Sequence, residues 1–107
     1  MNSEAMKGHL DALLLAAVER QPAHGYALIE RVRALSDGAF LLPEGTVYPA
    51  LHRLERLGLL ESAWSADAPR RRRVYSLTDR GRAVLVERRE EWRAFASGMS
   101  AALQGAR

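Results

Sequence analysis

The chain has 107 residues, 48% hydrophobic and 27% charged, with a formal net charge of +3 from 16 basic and 13 acidic side chains. That length suits one modest core plus an appendage rather than two domains, and no apolar run approaches the roughly 20 residues that span a bilayer. The absence of cysteine excludes disulfide scaffolds, thiolate zinc sites and cysteine nucleophiles, and the N-terminus lacks a secretory leader pattern, so the expected compartment is the cytoplasm.

Met1 to Lys7 carries no apolar period and reads as a flexible arm. Leu10, Leu13, Leu14, Ala17 and Val18 then recur at helical spacing, and Leu15 adds apolar surface beside that stripe, which predicts a first helix touching two neighbours. Gln21, Pro22 and Ala23 end it. His24-Gly25 opens a second helix with Leu28, Ile29, Val32 and Leu35 inward, closed by Ser36, Asp37 and Gly38. Phe40 to Leu42 is a short apolar connector, read as a small strand that pairs with a hairpin further on.

Between Leu42 and Leu60 a helical wheel gathers Val47, Ala50, Leu51, Leu54 and Leu57 on one side, and Gly45, Tyr48, Pro49, His52, Arg53 and Arg56 on the other. With Glu44 and Glu55 only at its start and flank, the second face suits a phosphate-lined groove; taken alone, it also reads as an ordinary solvated face. Pro49 falls at the third helical position if Thr46 is the cap, or in the second turn if the helix starts at Glu44. Either way Gly45 leaves the helix N-terminal backbone uncovered toward a phosphate.

Gly58 is a left-handed stop, after which Leu59 to Ala66 alternates as a strand with Leu60 and Trp64 on one side. Asp67, Ala68 and Pro69 supply a turn, Arg70, Arg71, Arg72 and Arg73 follow, and Val74 to Leu77 returns as a second strand. Strand alternation sends Arg71 and Arg73 one way and Arg72 the other. Seven arginines fall between Arg53 and Arg80, against four acids, so the case for a polyanionic partner rests on where the charge lies rather than on its total. Tyr75 reads as core; Trp64 fits either a buried or an exposed position.

Thr78 caps a last helix with Asp79 in its first turn, running to about Gly105. Leu85, Trp92 and Met99 are spaced by seven, with Phe95 and Ala102 three residues after the latter two and Leu103 beyond. Such a seam exceeds what the preceding body can cover, and a second copy of the chain is its expected cover. Leu10, Leu14 and Leu15 of the first helix are expected to join Leu85, Trp92, Phe95, Met99 and Leu103 at that interface.

The run LPEGTVYPALHRLERLGLL, followed by RRRRVYSLTDRGR and preceded by GHLDALLLAAVERQPAHGYALIERV, resembles the PadR family of bacterial transcriptional regulators over nearly the whole chain, and its short C-terminus resembles the small subfamily. The resemblance implies a mainly α fold with a small β-hairpin (α+β): a winged helix-turn-helix over residues 1–77 and a dimerisation helix over residues 78–107. It favours a third helix starting at Glu44, with Pro49 inside it. It implies a homodimer bound to double-stranded DNA, with Gly45, Thr46, Tyr48, Pro49, His52, Arg53 and Arg56 on the third helix and Arg70, Arg71, Arg72 and Arg73 on the wing as contacts. Tyr48 reads equally as a phosphate ligand and as an aromatic packed on the hairpin. Ala68-Pro69 stands where relatives often carry a glycine before the basic run.

Trp92 matches the position at which some small multidrug-responsive relatives carry the tryptophan that lines a ligand pore, which implies a small apolar or aromatic effector; the alternative is two indoles closing an ordinary interface core. Repression by promoter occlusion is the expected output. A winged-helix adaptor that binds only protein is the alternative function, disfavoured by the arginine run. His9, His24 and His52 have no metal-ligand spacing, the glycines form no phosphate loop, and no nucleophile motif occurs. No metal, cofactor or enzymatic activity is therefore expected.

Overall fold

The computed structural model describes residues 3–66 and 71–105, with side chains from His9 onward. The elements run α1 (Ser3–Arg20), β1 (Ala23–His24), α2 (Gly25–Leu35), α3 (Glu44–Arg56), β2 (Leu60–Trp64), β3 (Arg73–Leu77) and α4 (Asp79–Gln104). α1 begins at Ser3, inside the stretch read as an arm. It is the central helix, touching α2, α3, α4 and β3. Leu14 and Leu15 are adjacent and so diverge by about 100° around the axis; both are fully buried, along with Ala17 and Val18.

His24 caps α2, its Nδ1 accepting from the Ala27 N–H at 3.3 Å. Arg31 of α2 reaches back to the end of α1 and donates to the carbonyls of Ala17 at 2.7 Å and Gln21 at 2.6 Å, satisfying oxygens the helix terminus leaves free. The chain then turns through Asp37 and Gly38, both in the left-handed region, before Pro43 leads into α3. Because α3 starts at Glu44, Pro49 stands inside it and denies the Gly45 carbonyl its usual helical donor.

The three strands form one antiparallel sheet in the order β1-β3-β2. Ala23 and His24 pair with Tyr75 and Val74, while β2 pairs with β3 from Leu60↔Leu77 to Trp64↔Arg73. The edge expected to receive Phe40 to Leu42 is thus taken by Ala23–His24. Leu42 is instead buried in the core and Phe40 packs against it. Leu35 and Leu57, assigned inward faces by periodicity, are both exposed: each stands at the end of its helix, where the turn carries it clear of the core.

Thr78 joins two helix ends. Its hydroxyl donates to the Gly58 carbonyl at 2.7 Å, after α3, and accepts from the Gly81 N–H at 3.0 Å, in the first turn of α4. Gly81 and Leu85 are the buried residues of α4. Beyond them the helix projects, and the molecule measures 60 × 27 × 22 Å.

Candidate nucleic-acid interface

α3 divides as its wheel predicts: Val47, Ala50, Leu51 and Leu54 are buried, while Gly45, Thr46, Pro49, His52 and Arg56 are exposed. Nothing lies within 4 Å of where a Gly45 side chain would begin, so the start of this face is open. Tyr48 is half-buried and packed against the core, close to Tyr75 of the hairpin and also against α2. Its ring lies over the first residue of α2, with Cε1 2.5 Å from where a Cβ on Gly25 would stand. Glycine at position 25 is what lets the two helices of the helix-turn-helix meet there, and Tyr48 is a packing residue between them. Arg53 is half-exposed and paired with Asp11 of α1, a partner that a wheel of α3 alone does not reveal.

The hairpin has two faces. Leu60, Ser62 and Trp64 share one with their partners Leu77, Tyr75 and Arg73 and, by alternation, with Arg71. At the base this inner face is core, where burial, and then the nearby Glu55 carboxylate, raises the Tyr75 pKa. Toward the tip it outruns the helices, and Trp64 is 54% exposed, with the guanidinium carbons of Arg71 and Arg73 at 4.9 and 5.1 Å from its ring centroid. Arg73 also donates through Nε to the Ser62 hydroxyl at 2.9 Å, which donates to Glu55 of α3 at 2.7 Å. These bonds tie the wing to the third helix.

The outer face carries Arg72, whose Nη1 lies 2.9 Å from Nε2 of His24. Burial, and then the Arg72 charge, lowers the His24 pKa and favours a neutral ring. A neutral imidazole has one N–H, so capping α2 through Nδ1 and accepting from Arg72 through Nε2 are alternatives for this ring. Sequence reading assigned His24 only to the helix opening; its neighbour Arg72 is 48 residues away. Arg70, with Asp67, Ala68 and Pro69, lies outside the described residues.

Of the residues expected at a chain–chain interface, Leu10, Leu14, Leu15 and Leu85 are buried within the chain itself. Leu14, Leu15 and Leu85 are at most 1% exposed and Leu10 8%, because α1 is enclosed by α2, α3, α4 and β3, so these side chains leave little surface for a partner. Trp92, Phe95, Met99 and Leu103 are exposed in a row along the projecting part of α4. An open groove of about 910 Å³ between α1 and α4 is lined by Ala12, Leu13, Ala16, Trp92 and Phe95 among others. His9 meets Trp92 edge-on at 5.3 Å and Phe95 lies 5.6 Å from it. No group of side chains among the described residues has the make-up of a metal site, and no helix among them is long and apolar enough to cross a membrane.

Three helices packed around α1, a helix-turn-helix of α2 and α3, and an antiparallel hairpin with basic side chains behind it define a winged helix-turn-helix protein with an added C-terminal helix. Residues 14–87 match the model of the transcriptional regulator PadR-like family. The chain belongs to the PadR family, a family of non-enzymatic transcriptional regulators. A PadR family transcriptional regulator from Eggerthella lenta superposes with a TM-score of 0.78 at 36% identity, over 94% of this chain and 86% of the other. A transcriptional regulator from Clostridium thermocellum gives a TM-score of 0.83 at 26% identity, over 92% and 96%. A transcriptional regulator of Mycobacterium tuberculosis is 49% identical over 55 residues, 51% of either chain.

Proposed function

We propose that the protein is a sequence-specific DNA-binding repressor acting in the cytoplasm as a homodimer. The observation that carries this reading is the physical link between the open basic face of α3 and the arginine hairpin, through Glu55, Ser62 and Arg73. A helix that enters a major groove and a basic element fixed beside it satisfy base and backbone contacts at once. His52 and Arg56 approach bases, and Arg53 joins them by exchanging Asp11 for DNA. Gly45, Thr46 and Pro49 let the start of α3 come close to the phosphates, while the wing arginines hold the backbone.

The exposed row of Trp92, Phe95, Met99 and Leu103 supports pairing of two chains through α4, which sets two recognition helices about one helical turn, roughly 10 bp, apart. A flat apolar or aromatic effector fits the groove beside Trp92, and by shifting the dimer geometry it releases DNA. Titration of a duplex from the gene's own upstream region against a scrambled duplex, at several salt concentrations, tests the reading. Preference for the first, with a steep salt dependence, is expected. A dimer that binds neither duplex would be the protein-interaction adaptor instead. For the effector, planar dyes are expected to quench tryptophan emission in the parent and in Trp64→Phe, but not in Trp92→Ala.

A further inference from the structure

We infer that Trp64 is a positioning residue for DNA: its indole holds the guanidinium groups of Arg71 and Arg73 in one pose on the inner face of the hairpin tip, where they meet the sugar-phosphate backbone. The inference rests on the DNA-binding reading above and adds to it a residue that contacts arginines rather than the duplex.

Along the inner face Leu60, Tyr75 and Leu77 are buried, whereas Trp64 is not. Burial in the core therefore does not account for a large aromatic at this position. What the ring meets instead is charge. Both guanidinium carbons, at 4.9 and 5.1 Å from the centroid, lie inside the roughly 6 Å range over which a ring quadrupole attracts a cation. One ring thus serves two cations, and its attraction for each restrains both side chains at the hairpin tip.

Arg73 is held a second time, by the Ser62 hydroxyl and, at 3.9 Å, by the Glu55 carboxylate. A guanidinium held over a ring face keeps its edge N–H donors available for phosphate oxygens; on Arg71 the ring engages none of them, whereas Arg73 has already committed Nε to Ser62 and keeps only its remaining donors. A guanidinium so held also loses less rotamer freedom on binding than a mobile side chain does. Arg72, on the opposite face beside His24, lies outside this arrangement and serves as its internal control.

Since the contacts are to backbone, a fluorescein-labelled mixed-sequence duplex at low salt is a sufficient probe. Trp64→Leu keeps apolar cover on the hairpin but removes the ring face; thermal unfolding checks that it is folded, and Trp64→Phe supplies a smaller ring. Trp64→Leu is expected to weaken binding about five- to tenfold, with Trp64→Phe recovering most of the loss. The slope of log K against log[salt] should stay at the parent value, because the same phosphates are still neutralised, whereas Arg71→Ala with Arg73→Ala should lower it by about two.

In that double-arginine background Trp64→Leu should have no further effect. Unchanged affinity in Trp64→Leu, or an equal loss with and without the two arginines, overturns the inference while leaving the DNA-binding reading intact. A parent chain that binds no duplex overturns both.

Discussion

At the scale of single residues, the contacts that decide most are those between positions far apart in sequence. Gly81 is the clearest case: a Cβ there would stand 2.1 Å from the Leu59 carbonyl oxygen and 2.8 Å from a Leu77 methyl. Helix propensity alone favours alanine over glycine by about 1 kcal/mol, yet a backbone oxygen cannot move aside as a side chain does. Gly81→Ala is therefore expected to destabilise the fold by about 1–3 kcal/mol, measured by chemical denaturation; an unchanged or raised midpoint would refute the close approach. In the sequence Gly81 looks like punctuation, since nothing nearby announces the strand end passing beneath it. Arg53 was likewise legible as an outward base on α3 but not as the partner of Asp11, 42 residues earlier. If Asp11 competes with phosphate, Asp11→Asn should strengthen duplex binding by about fivefold, the upper end of what a surface ion pair is worth, since this pair is partly buried. Weaker binding in that variant would mean that Asp11 orients Arg53 rather than withholding it.

At the scale of elements, the sequence specified what periodicity and capping can specify. Thr78 at the start of α4, Gly58 after α3 and the opposite facing of Arg71 and Arg72 all follow from rules that act within a few residues. The third strand was misplaced because a two-residue strand has no period to read; Ala23–His24 is defined by its pairing with β3, a tertiary fact. The packing of α4 on α1 is of the same kind. There Arg89 bridges both carboxylate oxygens of Glu19, at 2.8 and 3.3 Å, and this bond, with the Arg89 charge, lowers the Glu19 pKa below its ordinary 4.5. A carboxylate whose pKa is lower folded than unfolded contributes stability above its unfolded value and loses it as pH falls through the folded one. Both side chains are about two-fifths exposed, so solvent screening limits the pair to about 0.2–1 kcal/mol. Thermal melts should show Glu19→Gln less stable than the parent at neutral pH. The difference should close as pH drops below 4.5 and vanish once Glu19 is protonated in both states; a gap that persists in acid would assign the loss to packing instead.

At the scale of the whole molecule, the shape needs a cause. Only the first turns of α4 contribute buried residues to the core, yet the helix is 26 residues long in all, about 39 Å at 1.5 Å per residue. Trp92, Phe95, Met99 and Leu103 lie on the unburied length at spacings of three and four, an apolar stripe rather than a scatter. Leu85 begins the same series but is used inside the chain, which is why spacing alone could not separate core from seam. Under the proposed dimer, a charge placed in the middle of the stripe should break pairing without touching the core. Phe95→Glu together with Met99→Glu is expected to sediment as a monomer at micromolar concentration, with far-UV dichroism close to the parent's. Because two linked recognition helices gain on the order of a hundredfold or more from joint engagement, operator affinity should fall by at least that factor, while binding to a single half-site stays near its parental strength. A double variant that remains a dimer would place the interface away from this face of α4, and the length of the helix would then require a different partner.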